Sequence, residues 1–412
     1  MREYIKKIVS HGKLEIFGED KVKDEFENVR CEFSYDILSS KKIVGVFEIP
    51  QMYDNIGNKK FIFKDDVERE LKGNITGSTF EHIGGYRYNT LNFSIDEFTR
   101  SQWFSTANPK RLRIDFLIPY ISYLSRSVLT YHFVENDYHF KFSDEVYKIL
   151  VNNIEVRFDE FASFVEATEP DSKMYRMLYP TIELNINGNV DESVEELKKL
   201  FDDVLLILSL VLDNKMRCFG YFLKLYDEND KIILDYEHRI TTVKSRGGFV
   251  KKHVNNKFEE IFTKEKITTL VNNFINHENK DLIRTSSYDL LTSQELDTFE
   301  PRLVWTIFSL EGVVKIITNK VGEITKFGEV VNLACSERYM NVDLNDYNFL
   351  KSENDDHRWL ITDYRNNIAH FNNKKFDDEV IFDEYKKVIR LARNLLLKYL
   401  DSDKNINDYP FP

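Results

Sequence analysis

The hydrophobic period of this chain changes along its length, and that change limits the folds open to it. Up to about residue 190 the apolar residues alternate. The stretches "KIVGVFEIP" (42–50), "YRYNTLNFSI" (86–95), "RLRIDFLIP" (111–119), "NNIEVRF" (152–158) and "YPTIELNING" (179–188) repeat with period two and are bounded by Gly, Pro or Asn. Successive side chains of a strand face opposite sides, so this pattern predicts half-buried strands. Several short strands at this spacing imply an antiparallel sandwich or barrel. Then "DESVEELKKLFDDVLLILSLVLDN" (191–214) shifts to a helical period. Ser193 and Glu196 form a capping box that predicts the helix start, with an end near Asp213–Asn214. A strand hairpin follows in "CFGYFLKLYDENDKIILDYEH" (218–238), turning at its D-E-N-D tetrad.

Residues 241–257, "TTVKSRGGFVKKHVNNK", hold five basic residues, no acidic one and a Gly-Gly pair, and read as a linker. Beyond them the pattern is helical to the end. Helices are predicted over 257–277, over 301–320 with Pro301 in the first turn, over 347–371 and over 378–400. A chain of 412 residues is long for one core. The expected organisation is therefore α+β: a β-rich, antiparallel sandwich or barrel-like domain over 1–243, a basic linker over 244–257 and an all-α bundle over 258–412.

Composition narrows the partners. The formal net charge of −12 argues against a surface that coats nucleic acid, because phosphate neutralisation drives such binding; a local basic site on an acidic body stays open. Cys31, Cys218 and Cys335 are far apart and form no CxxC pair, which reads as free thiols in a reducing compartment. The opening "MREYIKKIVSHGK" has no apolar h-region, and the longest apolar run, Val204–Leu212, is far short of the roughly 20 residues that cross a bilayer. A soluble, cytoplasmic protein without a membrane partner is expected. There is no P-loop, G-x-G-x-x-G, G-x-S-x-G or HExxH, and the nine histidines show no metal spacing, so neither cofactor nor metal is expected.

The segment that carries chemistry is "DYRNNIAHF" (363–371). An arginine followed by four to six residues and then a histidine is a weak pattern, and it also occurs at Arg126–His132, in a strand-like run, and at Arg246–His253, in the linker. Only Arg365–His370 lies in a helix flanked by other helices. On a wheel of 100° per residue, Leu360, Ile361, Tyr364, Ile368 and Phe371 share an apolar arc, and Asp363, Asn366, Asn367 and His370 share an adjoining polar one. Asn366 and His370 are i, i+4 neighbours. Arg365 lies about 140° from His370, so within one helix the two ends of the motif point apart. Two readings follow: a solvated helix face with a histidine near its end, or two copies meeting across a two-fold axis, with Arg365 of one chain approaching His370 of the other.

Those residues resemble the signature of HEPN domains, an all-helical family marked by Arg, four to six residues, then His. Asn366 matches the polar residue favoured after the arginine, and a further helix follows the motif, as in the family. A β-rich N-terminal domain joined to a C-terminal HEPN domain is similar to the ApeA-type anti-phage proteins. The resemblance implies a metal-independent endoribonuclease acting as a homodimer, with Arg365, Asn366 and His370 catalytic. It further implies RNA as substrate (transfer RNA by the family's habit), a toxin role in abortive infection, and an N-terminal domain that senses or recruits a phage-derived trigger. The alternative is a non-catalytic, HEPN-like dimerisation module that binds a nucleotide or a protein.

The chemistry suits the residue types. Metal-free RNA cleavage activates the 2′-OH against the adjacent phosphate and needs a group that shuttles protons near neutral pH; histidine, with its ordinary pKa of about 6.5, does this. It also needs positive charge where the phosphorane develops, which an arginine fork supplies. Asn366 would orient the imidazole or bond a phosphate oxygen. Supporting positions are Asp363, one stripe beneath His370, and Glu311, an acid on the stripe of Val304, Ile307 and Val314; the plain reading of Glu311 is an i, i+4 pair with Lys315. Two basic clusters are candidates for RNA contact. Lys244, Arg246, Lys251 and Lys252 lie in the linker, where a linker needs no function. Lys386, Arg390 and Arg393 form an i, i+4, i+7 stripe on the last helix, where a solvated face would serve as well.

Overall fold

The structure is a computed structural model that describes residues 5–18, 21–36, 43–49, 59–67, 69–83, 86–119, 130–134, 137–141, 147–166, 173–186, 188–213, 215–240, 262–352, 355–369 and 377–401. The chain divides into two compact units. The first comprises residues 1–148, 154–195 and 217–250, and the second 149–153, 196–216 and 251–412.

The first unit is built on strands, as the alternation predicts. Six of them are β1 (Ile5–Gly18), β2 (Lys21–Asp36), β3 (Ile43–Ile49), β4 (Lys60–Asp65), β5 (Arg69–Ile83) and β6 (Tyr86–Trp103). They pair antiparallel in the closed order β1-β2-β3-β6-β5-β4, which is a six-stranded barrel without an open edge. Alternate residues fill it. Leu14, Ile16, Val29, Cys31, Phe47, Ile49, Phe61, Phe63, Leu91 and Phe93 are all buried, and the Phe47 ring stacks on Phe93 with centroids 4.1 Å apart. β6 then outruns the barrel. Its residues 89–95 pair with β3, and its end from Glu97 to Trp103 pairs with β14 (Ile232–Ile240). From there the sheet continues through β13 (Gly220–Tyr226), β7 (Arg111–Pro119), β12 (Lys173–Asn185), β11 (Ile154–Glu166) and β10 (Tyr147–Val151). Two short strands, β8 (Thr130–Val134) and β9 (Asp137–Lys141), pair only with each other.

Closure depends on close strand approach at a bulge. The β5–β6 register shifts between Lys72 and Gly73, and a Cβ at Gly73 would sit 2.0 Å from the carbonyl oxygen of Ser94 and 2.9 Å from the Cα of Ile95. Both obstacles are backbone and cannot swing away. Gly73→Ala is expected to destabilise the barrel by about 1–3 kcal/mol in denaturant unfolding; an unchanged midpoint would contradict this account of closure.

The second unit is helical: α1 (Val190–Val211, counted here from Glu196), α2 (Lys264–Ile275), α3 (Lys280–Ser293), α4 (Phe299–Ile317), α5 (Phe327–Cys335), α6 (Leu360–Ala369) and α7 (Asp378–Leu400). Three expectations need correction. Helix α1 begins at Val190, before Ser193. The side chain of Asn189 accepts from the backbone N–H of Asp191 at 2.9 Å, and Ser193 instead bonds back to the Asn189 carbonyl. From Glu196 this helix belongs with the helical unit, not with the first 243 residues. Its run from Val204 to Val211 is buried all round, and its Asp203 is held by Lys280 at 2.6 Å and by Arg284. The helix expected over 347–371 is helical only from Leu360. A two-stranded hairpin, β15 (Lys351–Ser352) with β16 (Asp355–Trp359), precedes it, because the "SENDDH" run favours turn chemistry over helix. Among the described residues no helix is long and apolar enough to cross a membrane.

Two helices, α3 and α5, fall outside the predicted spans, although α5 carries the helical period, with Phe327, Val330, Val331 and Ala334 buried at i, i+3, i+4 and i+7. Helix α3 is rich in serine and threonine, yet Ser286, Ser287 and Ser293 are buried. They let α4 come close. Ser309 donates to the Ser286 carbonyl at 2.7 Å, and a Cβ at Gly312 would lie 2.6 Å from the Ser286 hydroxyl. Small residues here trade helix propensity for proximity.

Candidate active site

Helix α6 offers one face to the core. Ile361 and Tyr364, one turn apart, are buried, and burial raises the Tyr364 phenol pKa, with the Glu300 carboxylate adding to the rise. Arg365 and Asn366 are half-buried beside that face. The Arg365 guanidinium reaches α4, where Nη2 lies 3.3 Å and Nε 3.4 Å from Oε2 of Glu311. Glu311 Oε1 also takes the Lys315 ammonium at 3.0 Å. Glu311 thus pairs with Lys315, as its plain reading has it, and also meets the motif arginine.

This cluster has two cations to one carboxylate, a local net charge of +1. The Arg365–Glu311 distances exceed the roughly 2.7–2.9 Å of a tight charge-assisted fork. The side chains retain 26% and 14% of their exposure, so the pair is neither sealed in the core nor free in solvent. Such a pair aims an arginine without using up its fork.

The remaining candidates separate. Asp363 accepts from the Ser352 hydroxyl, tying α6 to the β15–β16 hairpin. His370 lies outside the described residues, as do Lys244, Arg246, Lys251 and Lys252 of the linker. Of the two other Arg–His matches, Arg126, Arg246 and His253 also lie outside them. On α7, Lys386 is exposed, 3.4 Å from Asp383 and over the Phe382 ring. Arg390 lies over the Tyr347 ring. Arg393 is a correction: it is 1% exposed, and donates from Nε to the carbonyl of Leu210 at 2.6 Å and from Nη2 to that of Val211 at 2.7 Å. It caps the C-terminus of α1 and is not placed for RNA.

Sequence reasoning also passed over a polar row on α7 that positions the segment before the site. Lys387 donates to the Asn348 carbonyl at 2.8 Å, Asn394 to the Tyr347 hydroxyl at 2.8 Å and Lys398 to the Asn341 carbonyl at 3.2 Å, while Glu384 accepts from the Leu350 N–H at 3.3 Å. The signal was there. These four positions sit at i, i+3, i+10 and i+14 of the first, the spacing of a buried seam. Burial raises the Glu384 carboxyl pKa and lowers that of the Lys398 ammonium.

Comparison with known proteins adds little. No family model matches the chain, and no curated protein does. A solved structure described as MrkH, a novel c-di-GMP dependence transcription regulatory factor, aligns with 50% of this chain and 95% of its own, at 10% identity and a TM-score of 0.14. A superposition of that quality carries no argument about fold or ligand.

Proposed function

We propose that the helical unit is a metal-independent endoribonuclease of the HEPN type, with its site shared between two chains. The supporting observation is that α6 stays helical through Ala369, four residues past Arg365. A helix that does not break before His370 sends Arg365 and His370 about 140° apart. Both serve one phosphate only if a second copy supplies the missing half. In this reading Arg365, aimed by Glu311 and backed by Lys315, meets the charge that develops on the phosphorane. His370 of the second copy moves the proton from the 2′-OH, and Asn366 orients the imidazole or the phosphate. The products are a 2′,3′-cyclic phosphate and a 5′-OH. Cellular RNA, with transfer RNA as the first choice, is the substrate, and cutting it serves abortive anti-phage defence. The β-barrel unit, in the cytoplasm with the rest of the chain, receives the trigger.

The dimer has a surface to use. Trp305 and Phe308, one turn apart on α4 and one turn before Glu311, are 43% and 47% exposed. Adjacent exposed aromatics on one helix suit a protein–protein contact. Phe308→Glu is expected to weaken self-association at least about tenfold, read by sedimentation, and to lower cleavage in parallel. A monomeric variant that cuts RNA at the wild-type rate would contradict the shared site.

The first experiment is incubation of the protein with transfer RNA in EDTA, with end-group analysis of the fragments. Cleavage that persists in EDTA and leaves cyclic phosphate ends is expected; a strict need for added Mg²⁺ would contradict the mechanism. One observation favours the second reading. Arg365 already has a carboxylate partner, which also suits a non-catalytic HEPN-like module that binds a nucleotide or a protein. In that case no RNA is cut under any condition, and Glu311→Gln costs stability alone.

A further inference from the structure

The underside of α6 holds an arrangement that the ribonuclease reading does not use. Glu384 of α7 is a carboxylate inside the helical unit, 1% exposed. Its Oε1 takes the Lys387 ammonium at 2.6 Å and the Leu350 N–H at 3.3 Å. The carbonyl of the same Leu350 accepts the N–H of Leu360, the first residue of α6, at 2.8 Å. Lys387 also donates to the Asn348 carbonyl, at 2.8 Å. One carboxylate on α7 is thus two hydrogen bonds away from the start of the helix that carries Arg365. The Ser352 hydroxyl, on Asp363, fastens the same segment to α6 one turn further on.

The other oxygen of Glu384, Oε2, has no hydrogen-bond partner among the described residues. The side chain lines a cavity of about 10 Å³ beneath α6, walled by Leu303 of α4, by Leu360, Ile361 and Tyr364 of α6, and by Ile381 of α7. A space of that size holds one water at most. Burial raises the Glu384 carboxyl pKa; the Asp383 carboxylate adds to the rise, while Lys387 and the Leu350 N–H oppose it. The other titratable group on the cavity wall is the Tyr364 phenol. Burial and the Glu300 carboxylate of α4 raise its pKa as well, so it stays neutral.

Glu384 therefore stands between opposed demands. The Lys387 ammonium and the Leu350 N–H favour the carboxylate, and the apolar cavity favours the neutral acid. We propose that Glu384 is a proton-operated latch for α6: ionised, it fixes the first turn of α6 through Leu350, and protonated, it lets that turn loosen. A folded-state pKa above the ordinary carboxyl value means that taking up the proton adds to global stability as pH falls through it. The release is therefore local and is not acid unfolding. The latch belongs to the fold of the helical unit; only its effect on cleavage rests on the ribonuclease reading.

The test is hydrogen exchange of the Leu360 amide in the full chain from pH 8 to pH 4.5, corrected for the intrinsic pH dependence of exchange. The lower limit is the ordinary carboxyl value, at which a carboxyl with a raised pKa is more than half protonated. In the wild type, protection of Leu360 is expected to fall about fivefold or more over this range. Glu384→Gln keeps the shape and an acceptor but not the charge. Its Leu360 protection should be low throughout, and should vary with pH no more than that of Leu310, buried on α4. Lys387→Met removes the partner ion from a position that is 24% exposed, so the release should move to higher pH. Circular dichroism checks that each variant keeps its fold. Three results would overturn the proposal: Leu360 protection independent of pH in the wild type, the wild-type pH dependence retained in folded Glu384→Gln, or a release pH unmoved by Lys387→Met. The assay contains no RNA, so its outcome is separate from that of the cleavage assays.

Discussion

His370→Ala is expected to lower RNA cleavage by about 10²–10⁴-fold, because in the proposed mechanism it removes the group that exchanges protons near neutral pH. Arg365→Ala should cost about 10²–10³-fold, the scale for losing one donor to a developing oxyanion. The two variants should differ in kind. A replaced general base lets activity rise with pH as hydroxide takes over, so the His370→Ala rate should climb with pH where the wild type is flat. The Arg365→Ala rate should keep the wild-type pH profile at a lower level. Glu311→Gln separates aim from chemistry. It leaves both reacting groups in place but loosens the arginine now 3.3 Å from the carboxylate, so its loss should be smaller than that of Arg365→Ala. Cleavage assays on purified transfer RNA at several pH values, with end-point circular dichroism for folding, check all three. Wild-type activity in His370→Ala would remove the proposed mechanism.

Arg393→Ala is expected to destabilise the helical unit by about 3–5 kcal/mol, on the scale of breaking a buried charged interaction. The side chain is 1% exposed and carries two short hydrogen bonds, to the carbonyls of Leu210 and Val211. Its removal leaves the last turn of α1 unsatisfied inside the bundle and opens a cavity beside it. Arg393→Lys should recover little, because an ammonium cannot hold two carbonyls in the fixed fork that guanidinium provides. Denaturant unfolding measures the loss. An unchanged midpoint with either residue would mean that the cap is dispensable and would reopen a surface role.

Arg393 also shows where sequence reading stops. Counted on a wheel, it continues the stripe of Lys386 and Arg390 and reads as solvated. In the fold, every residue from Leu391 to Lys398 is buried, because the other helices surround the second half of α7. Periodicity describes the face of one helix and says nothing of how many neighbours it has. Two of the barrel strands, β3 and β6, were legible for the opposite reason, since each sends alternate residues such as Phe47, Ile49, Leu91 and Phe93 into one interior; the other four fall outside the predicted spans. Closure was not legible, because it turns on β6 pairing along both edges and on a bulge at Gly73, which no local pattern announces. Helix α3 was hidden by its buried serines, whose value appears only beside Gly312. At the site, the helical setting of Arg365 could be read directly. Its partner Glu311, 54 positions earlier, was visible only as an acid on an apolar stripe.

The central claim is a site assembled from two chains. It is tested most directly by mixing two inactive variants, Arg365→Ala and His370→Ala, and assaying the mixture for RNA cleavage in EDTA. In a mixed dimer one of the two paired sites keeps an intact arginine and an intact histidine. If exchange is complete, half of the dimers are mixed and each has one working site, so recovery of about a quarter of the wild-type rate is expected. No recovery, with mixed dimers proven by mass spectrometry, would contradict the account and return both residues to a single chain.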